Sequence, residues 1–297
     1  MIPSLLVCGH RHTMLFALIG GLVAAGSSEA AYGNGIALVA LVFCTASVSG
    51  GKLNPAVSFS LFLIDAYPLS VTVPKLLIEW LAQFFGAFAG SALVNALAQS
   101  PSLYTAVGAN TTMAGYDFAA NQCFQPDMII QNAPGVQGMA VSGPSQGVVF
   151  GLEMFATLLL ILTVLSTAVD ITGSAFAGRP RFSDIAPLAI GLSLWAGAQA
   201  IGQWTGGALN PARFVGPALA GKCPGGTAWK YAGAYIGAHT AAAVVAAFIH
   251  ALRAMVHDSY SGCKPPPLPM KQQRAKPARG KGVYDSLLTA TEEGNDD

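Results

Sequence analysis

The sequence predicts an all-α membrane protein: six transmembrane helices and two re-entrant half-helices, arranged as an inverted repeat. Three observations carry this reading. Of 297 residues, 53% are hydrophobic and only 10% are charged, where a soluble globular domain carries about 25% charged residues. Apolar stretches long enough to cross a bilayer, about 20 residues, recur along the chain. One seven-residue motif occurs twice, 156 residues apart.

The charge deficit deepens once the end of the chain is set aside. Residues 253–297 hold 7 basic and 6 acidic residues, which leaves 16 charges for the first 252 residues. Such a chain cannot clothe a soluble surface, and it is too apolar to be disordered. The net charge of +1 gives no basic face for nucleic acid. The five cysteines (8, 44, 123, 223 and 263) lack metal-ligand spacing. No cofactor and no metal site is expected. No nucleophile constellation or phosphate loop is present, so no enzyme is expected either.

The expected spans are 5–26, 30–49, 76–98, 147–169, 185–203 and 229–252. The first is interrupted by His10, Arg11 and His12. Two further apolar stretches, 54–64 and 210–220, are too short to cross. Each opens with Asn-Pro-Ala. Proline suits the first helical turn, where its missing N–H has no intrahelical partner. Asparagine before it is a good N-cap. Both stretches therefore read as half-helices starting at Asn54 and Asn210.

Residues 50–56 read Gly-Gly-Lys-Leu-Asn-Pro-Ala and residues 206–212 read Gly-Gly-Ala-Leu-Asn-Pro-Ala. Three spans per half place the halves in opposite orientation. Short interrupted segments at matching positions of inverted repeats mark a midplane site. The halves are expected at about 5–98 and 147–252, joined by an outer loop, 99–146. Together they form a membrane domain over 1–252, followed by a disordered cytoplasmic tail, 253–297.

Basic residues set the orientation. The 99–146 connection holds no Lys or Arg, whereas Arg179, Arg181 and seven basic residues of the tail lie on the other side. Both termini are then cytoplasmic, with Lys222 and Lys230 a mild exception. Asn110-Thr111-Thr112 is a glycosylation sequon in the outer loop. Cys123 and Cys223 both fall outside and can either pair or stay free. The tail carries Pro265-Pro266-Pro267-Leu268-Pro269, which favours an extended polyproline segment.

Two half-helices entering from opposite faces meet near the midplane at their N-termini. Each terminus carries roughly half a positive charge. The facing ends oppose any cation, hydronium included. The Asn54 and Asn210 amides, held by capping, can donate into the gap. A water accepting from both donates outward in both directions, which breaks a proton wire. The pattern therefore fits a pore that passes water and not protons.

Ser49-Gly50-Gly51-Lys52-Leu53-Asn54-Pro55-Ala56-Val57 and Thr205-Gly206-Gly207-Ala208-Leu209-Asn210-Pro211-Ala212-Arg213 closely resemble the signature motifs of the aquaporins, the major intrinsic proteins. Ala82-Gln83-Phe84-Phe85-Gly86-Ala87, Glu153 to Thr157, and Gly233 with Gly237 add to the likeness, which runs from about residue 13 to 250. Phe43-Cys44-Thr45-Ala46 looks most like the plant plasma-membrane-type branch. The resemblance implies a passive channel in a homotetramer, with water and small neutral solutes as its only ligands and the lipid bilayer around it. The solutes in view are glycerol, urea, ammonia and hydrogen peroxide.

The resemblance also implies site residues. The pore motifs are Asn54, Pro55, Ala56 and Asn210, Pro211, Ala212. The outer constriction is Asn34, Ala198, Gly207 and Arg213. A strict water channel usually has an aromatic and a His where Asn34 and Ala198 stand, so a wider polar constriction is expected. The glycerol branch usually has Asp after the Arg, and here Phe214 follows. Glu153 should brace a half-helix loop, and a matching Glu near residue 9 is missing. Glu79 receives no role and is expected near the cytoplasmic end. His239 reads as a packed, hydrogen-bonded residue. The expected location is the plasma membrane, with a vacuolar or other internal membrane as alternative. A proton-coupled transporter or a gated or non-conducting structural membrane protein are the competing classes.

Overall fold

The computed structural model describes residues 30–64, 69–98, 124, 126, 143–169, 182–220 and 229–260. The expected first span (5–26), the sequon at Asn110, Cys123, Cys223 and the polyproline segment lie outside them. Among the described residues seven helices follow in order: α1 Ala30–Ser49, α2 Pro55–Ile64, α3 Leu69–Ala98, α4 Gln146–Val164, α5 Phe182–Thr205, α6 Pro211–Ala220 and α7 Ala232–Tyr260. A π-helical turn, Leu165–Val169, continues α4. The chain divides into two compact units, Met1–Ala254 and Met255–Asp297.

Among the described residues, four segments, Val73–Val94, Gln146–Val169, Ile185–Thr205 and Trp229–Arg253, are long and apolar enough to cross a membrane. Their large apolar side chains are not all inside. Leu81, Phe155 and Phe248 are each more than 60% exposed. A surface of that kind needs lipid or protein against it. Two boundaries differ from the sequence expectation. Helix α3 starts at Leu69, seven residues early, with Pro74 inside it. Helix α7 runs to Tyr260, so residues 253–260 are helical and do not belong to an irregular tail. In both cases the helix continues past the apolar stretch by which a span is read.

The motif offset of 156 residues runs through the architecture. Adding it to the bounds of α2, 55 and 64, gives 211 and 220, the bounds of α6. Gly50 and Gly51 have φ of +81° and +66°, and Gly206 and Gly207 have +81° and +62°. Left-handed backbone at these sites is open to glycine without steric cost, and it turns each chain sharply from a long helix into a half-helix.

The two halves meet where α1 packs on α5. Gly35 and Gly191, again 156 apart, face each other there. A Cβ on Gly35 would lie 2.8 Å from the Gly191 carbonyl oxygen, and one on Gly191 would lie 2.5 Å from that of Gly35. Small residues let helix backbones approach this closely inside a membrane. A Cβ on Gly216 of α6 would likewise lie 2.7 Å from the Ala87 backbone of α3. One apolar cluster joins Leu41, Leu53 and Val57 of the first half to Leu160, Leu194 and Leu209. It fixes the half-helices between the long ones.

Candidate functional site

Each half-helix begins as its sequence dictates. Asn54 caps α2: its Oδ1 accepts the Ala56 N–H at 2.9 Å. Asn210 caps α6: its Oδ1 accepts from Ala212 at 2.9 Å and from Arg213 at 3.4 Å. The oxygens are thereby committed, and the amide nitrogens point across the repeat. Asn54 Nδ2 donates to the Leu209 carbonyl at 2.8 Å, and Asn210 Nδ2 donates to the Leu53 carbonyl at 3.0 Å. A carboxamide has two N–H donors. One on each Asn is used in this exchange, and the other is left for the space between.

That space is a cavity of about 340 Å³. Asn54, Asn210 and Arg213 line it, together with apolar residues such as Leu38, Val42 and Ile190. Few polar groups interrupt its apolar wall. Asn34, Ala198 and Gly207 do not line this cavity.

Three of the four expected constriction residues touch. A Cβ on Gly207 would lie 2.8 Å from the Ala198 Cα. Arg213 Nη1 donates to the Gly207 carbonyl at 2.6 Å. Asn34 is fully buried on α1, beside the Gly35 contact with Trp195, and the contacts linking the other three do not include it. The guanidinium carbon of Arg213 also lies 5.2 Å from the centre of the Phe124 ring. Phe124 packs in turn on Phe214 and Tyr235. Sequence reading missed Phe124, because it lies in a long connection without periodicity.

The loop before α6 is held by Glu153, which is completely buried. Its Oε1 accepts from Thr205 Oγ1 at 2.6 Å and the Ala208 N–H at 3.0 Å. Its Oε2 accepts the Leu209 N–H at 2.9 Å and lies 3.0 Å from His239 Nε2. A buried carboxylate needs such a complete set of partners. Leu209 adopts φ +51°, the one non-glycine residue with positive φ among the described residues. That turn brings two successive N–H groups onto one carboxylate. Tyr235 Oη donates to the Thr205 carbonyl.

The loop before α2 is held differently. Lys52 and Glu79 form an ion pair. Gln83 Nε2 donates to the Lys52 carbonyl at 2.7 Å and to Ser58 Oγ at 2.9 Å. Trp80 Nε1 donates to the Pro55 carbonyl at 3.1 Å. Glu79 and Gln83 stand 156 residues before Tyr235 and His239. In each half, two residues one helical turn apart on the long helix brace the loop. The signal was in the sequence: the Asn54–Asn210 offset, applied to Tyr235 and His239, lands on Glu79 and Gln83.

The chain matches the family described as "Major intrinsic protein" over residues 6–250. It belongs to the major intrinsic protein family. As such it is an integral, multi-pass membrane protein. It is 34% identical over 179 residues to a probable aquaporin, PIP2-8, of Arabidopsis thaliana, covering 60% of this chain and 52% of that protein. It is 30% identical over 220 residues to a probable aquaporin, AqpM, of Archaeoglobus fulgidus, covering 72% of each. The chain spans about half the length of the plant relatives it matches, 52% and 51%. Its fold is similar to that of the aquaglyceroporin from Plasmodium falciparum, with a TM-score of 0.64 at 20% identity, covering 87% of this chain and all of that one.

Proposed function

We propose that this major intrinsic protein forms a passive transmembrane channel for water that also passes small neutral solutes and excludes protons and ions. The observation that carries this reading is the reciprocal Asn54–Asn210 pair at the facing starts of two half-helices. The helix ends place partial positive charge there. The two remaining amide N–H groups orient a single water between them, and a hydronium ion meets repulsion from both sides.

Arg213, with Ala198, Gly207 and Asn34, forms the constriction. The side chains at positions 198 and 207 are a methyl and a hydrogen, so the opening beside the guanidinium is wider than a ring-lined one. Glycerol, urea, ammonia and hydrogen peroxide are the solutes of matching size and neutrality. Both termini are cytoplasmic, by the distribution of basic residues. The plasma membrane is the proposed site, on the likeness to plant plasma-membrane-type relatives. The proposed assembly is a homotetramer, consistent with the exposed apolar helix faces.

Stopped-flow light scattering on proteoliposomes tests this. Fast shrinkage in an impermeant sugar and fast re-swelling in glycerol are expected of the wild type. Ala198→His should remove the glycerol phase and leave the water phase. Shrinkage no faster than that of empty liposomes would overturn the channel reading.

A further inference from the structure

Lys52 lines the cavity that contains Asn54 and Asn210, and Glu79, which holds its ammonium, does not. The pair is half-hidden, with side-chain exposures of 15% and 13%. We infer that Glu79 is a positioning residue that draws the Lys52 ammonium back against α3, out of the permeation path, and so sets the charge that permeants meet at this end of the pore. The inference rests on the channel reading above.

Four observations support it. The Lys52 backbone is fixed independently of its side chain, because its carbonyl accepts from Gln83 and its loop is turned by Gly50 and Gly51. The aliphatic stem runs beside Gly50, where a Cβ would lie 3.5 Å from Lys52 Cε. The direction of the ammonium is therefore decided by Glu79. The second half builds the corresponding loop without an ion pair: Ala208 stands in place of Lys52 and Tyr235 in place of Glu79. The fold thus does not demand the pair. Finally, Arg213 already lines the same cavity beyond the two Asn residues. An unpaired Lys52 would add a second cation to one passage. A ring or pair of fixed cations favours anions in a pore, and an uncompensated charge at membrane depth binds water strongly.

The test compares wild type, Glu79→Gln, Lys52→Met and the double variant in proteoliposomes. Two readouts are taken: osmotic water permeability, and iodide entry followed by quenching of an entrapped halide-sensitive dye. Glu79→Gln should slow water and admit iodide above the empty-liposome level. Lys52→Met and the double variant should admit no iodide. The double variant, which leaves neither charge without its partner, should recover the wild-type water rate. Wild-type behaviour of Glu79→Gln would overturn the inference. Equal loss of water flow in Glu79→Gln and the double variant would also overturn it, because a merely structural role does not depend on which charge remains. A wild type with no water permeability would overturn the channel reading and this inference with it.

Discussion

Asn54 and Asn210 each donate to the carbonyl that precedes the other, at 2.8 Å and 3.0 Å. The exchange locks two half-helices from opposite halves at one point, and it fixes both amides at once. Asn210→Asp removes the donor and sets a carboxylate against the Leu53 carbonyl. The expected loss is about 1–3 kcal/mol, read as a lower melting temperature in detergent, with slower water flow. Asn54→Asp should behave alike, because Asn54 makes the reciprocal bond, to the Leu209 carbonyl.

Glu153 accepts from Thr205, Ala208 and Leu209 and pairs with His239 without contact with solvent. Glu153→Ala leaves two buried N–H groups and an imidazole unpartnered and releases the turn at Leu209. Each buried group left without its partner costs about 1–3 kcal/mol. Thermal melting of the purified variant checks this, and a melting temperature within error of wild type would contradict it.

The Gly35–Gly191 contact makes the α1–α5 crossing intolerant of a single methyl group. Gly191→Ala would place its Cβ 2.2 Å from a Val39 methyl. Overpacking of this kind costs about 1–3 kcal/mol. Gly151→Ala and Gly233→Ala meet nothing within 4 Å and should stay within about 0.5 kcal/mol of wild type. The four melting curves form one comparison.

Much of this was legible because it is repeated. The Asn-Pro-Ala motifs gave the starts of α2 and α6, and the positive-φ glycines before them follow from Gly-Gly at 50–51 and 206–207. Glu153 and His239 could be named, but not joined, since 86 residues separate them. Glu79 has no counterpart of its own type in the second half, where Tyr235 stands 156 residues on, so its role is visible only through the Lys52 contact. Phe124 had no signal: no period, no motif and no repeat counterpart mark it. It acquires meaning through a contact with Arg213 that tertiary packing alone creates.

Phe124→Ala tests that contact. The Arg213 guanidinium carbon lies over the Phe124 ring, an interaction worth about 0.5–2 kcal/mol depending on its desolvation. Without it the guanidinium is held mainly through the Gly207 carbonyl. The glycerol-to-water permeability ratio should rise, measured by paired sugar and glycerol shocks on one liposome preparation.

On the proposed mechanism water crosses between Asn54 and Asn210 while protons do not. One preparation of proteoliposomes carrying an entrapped pH dye, with the potential clamped by potassium and valinomycin, measures both fluxes. Osmotic shrinkage far faster than that of empty liposomes is expected, with proton entry no faster than theirs. Proton entry that rises with protein content alongside water flow, or shrinkage at the empty-liposome rate, would contradict it.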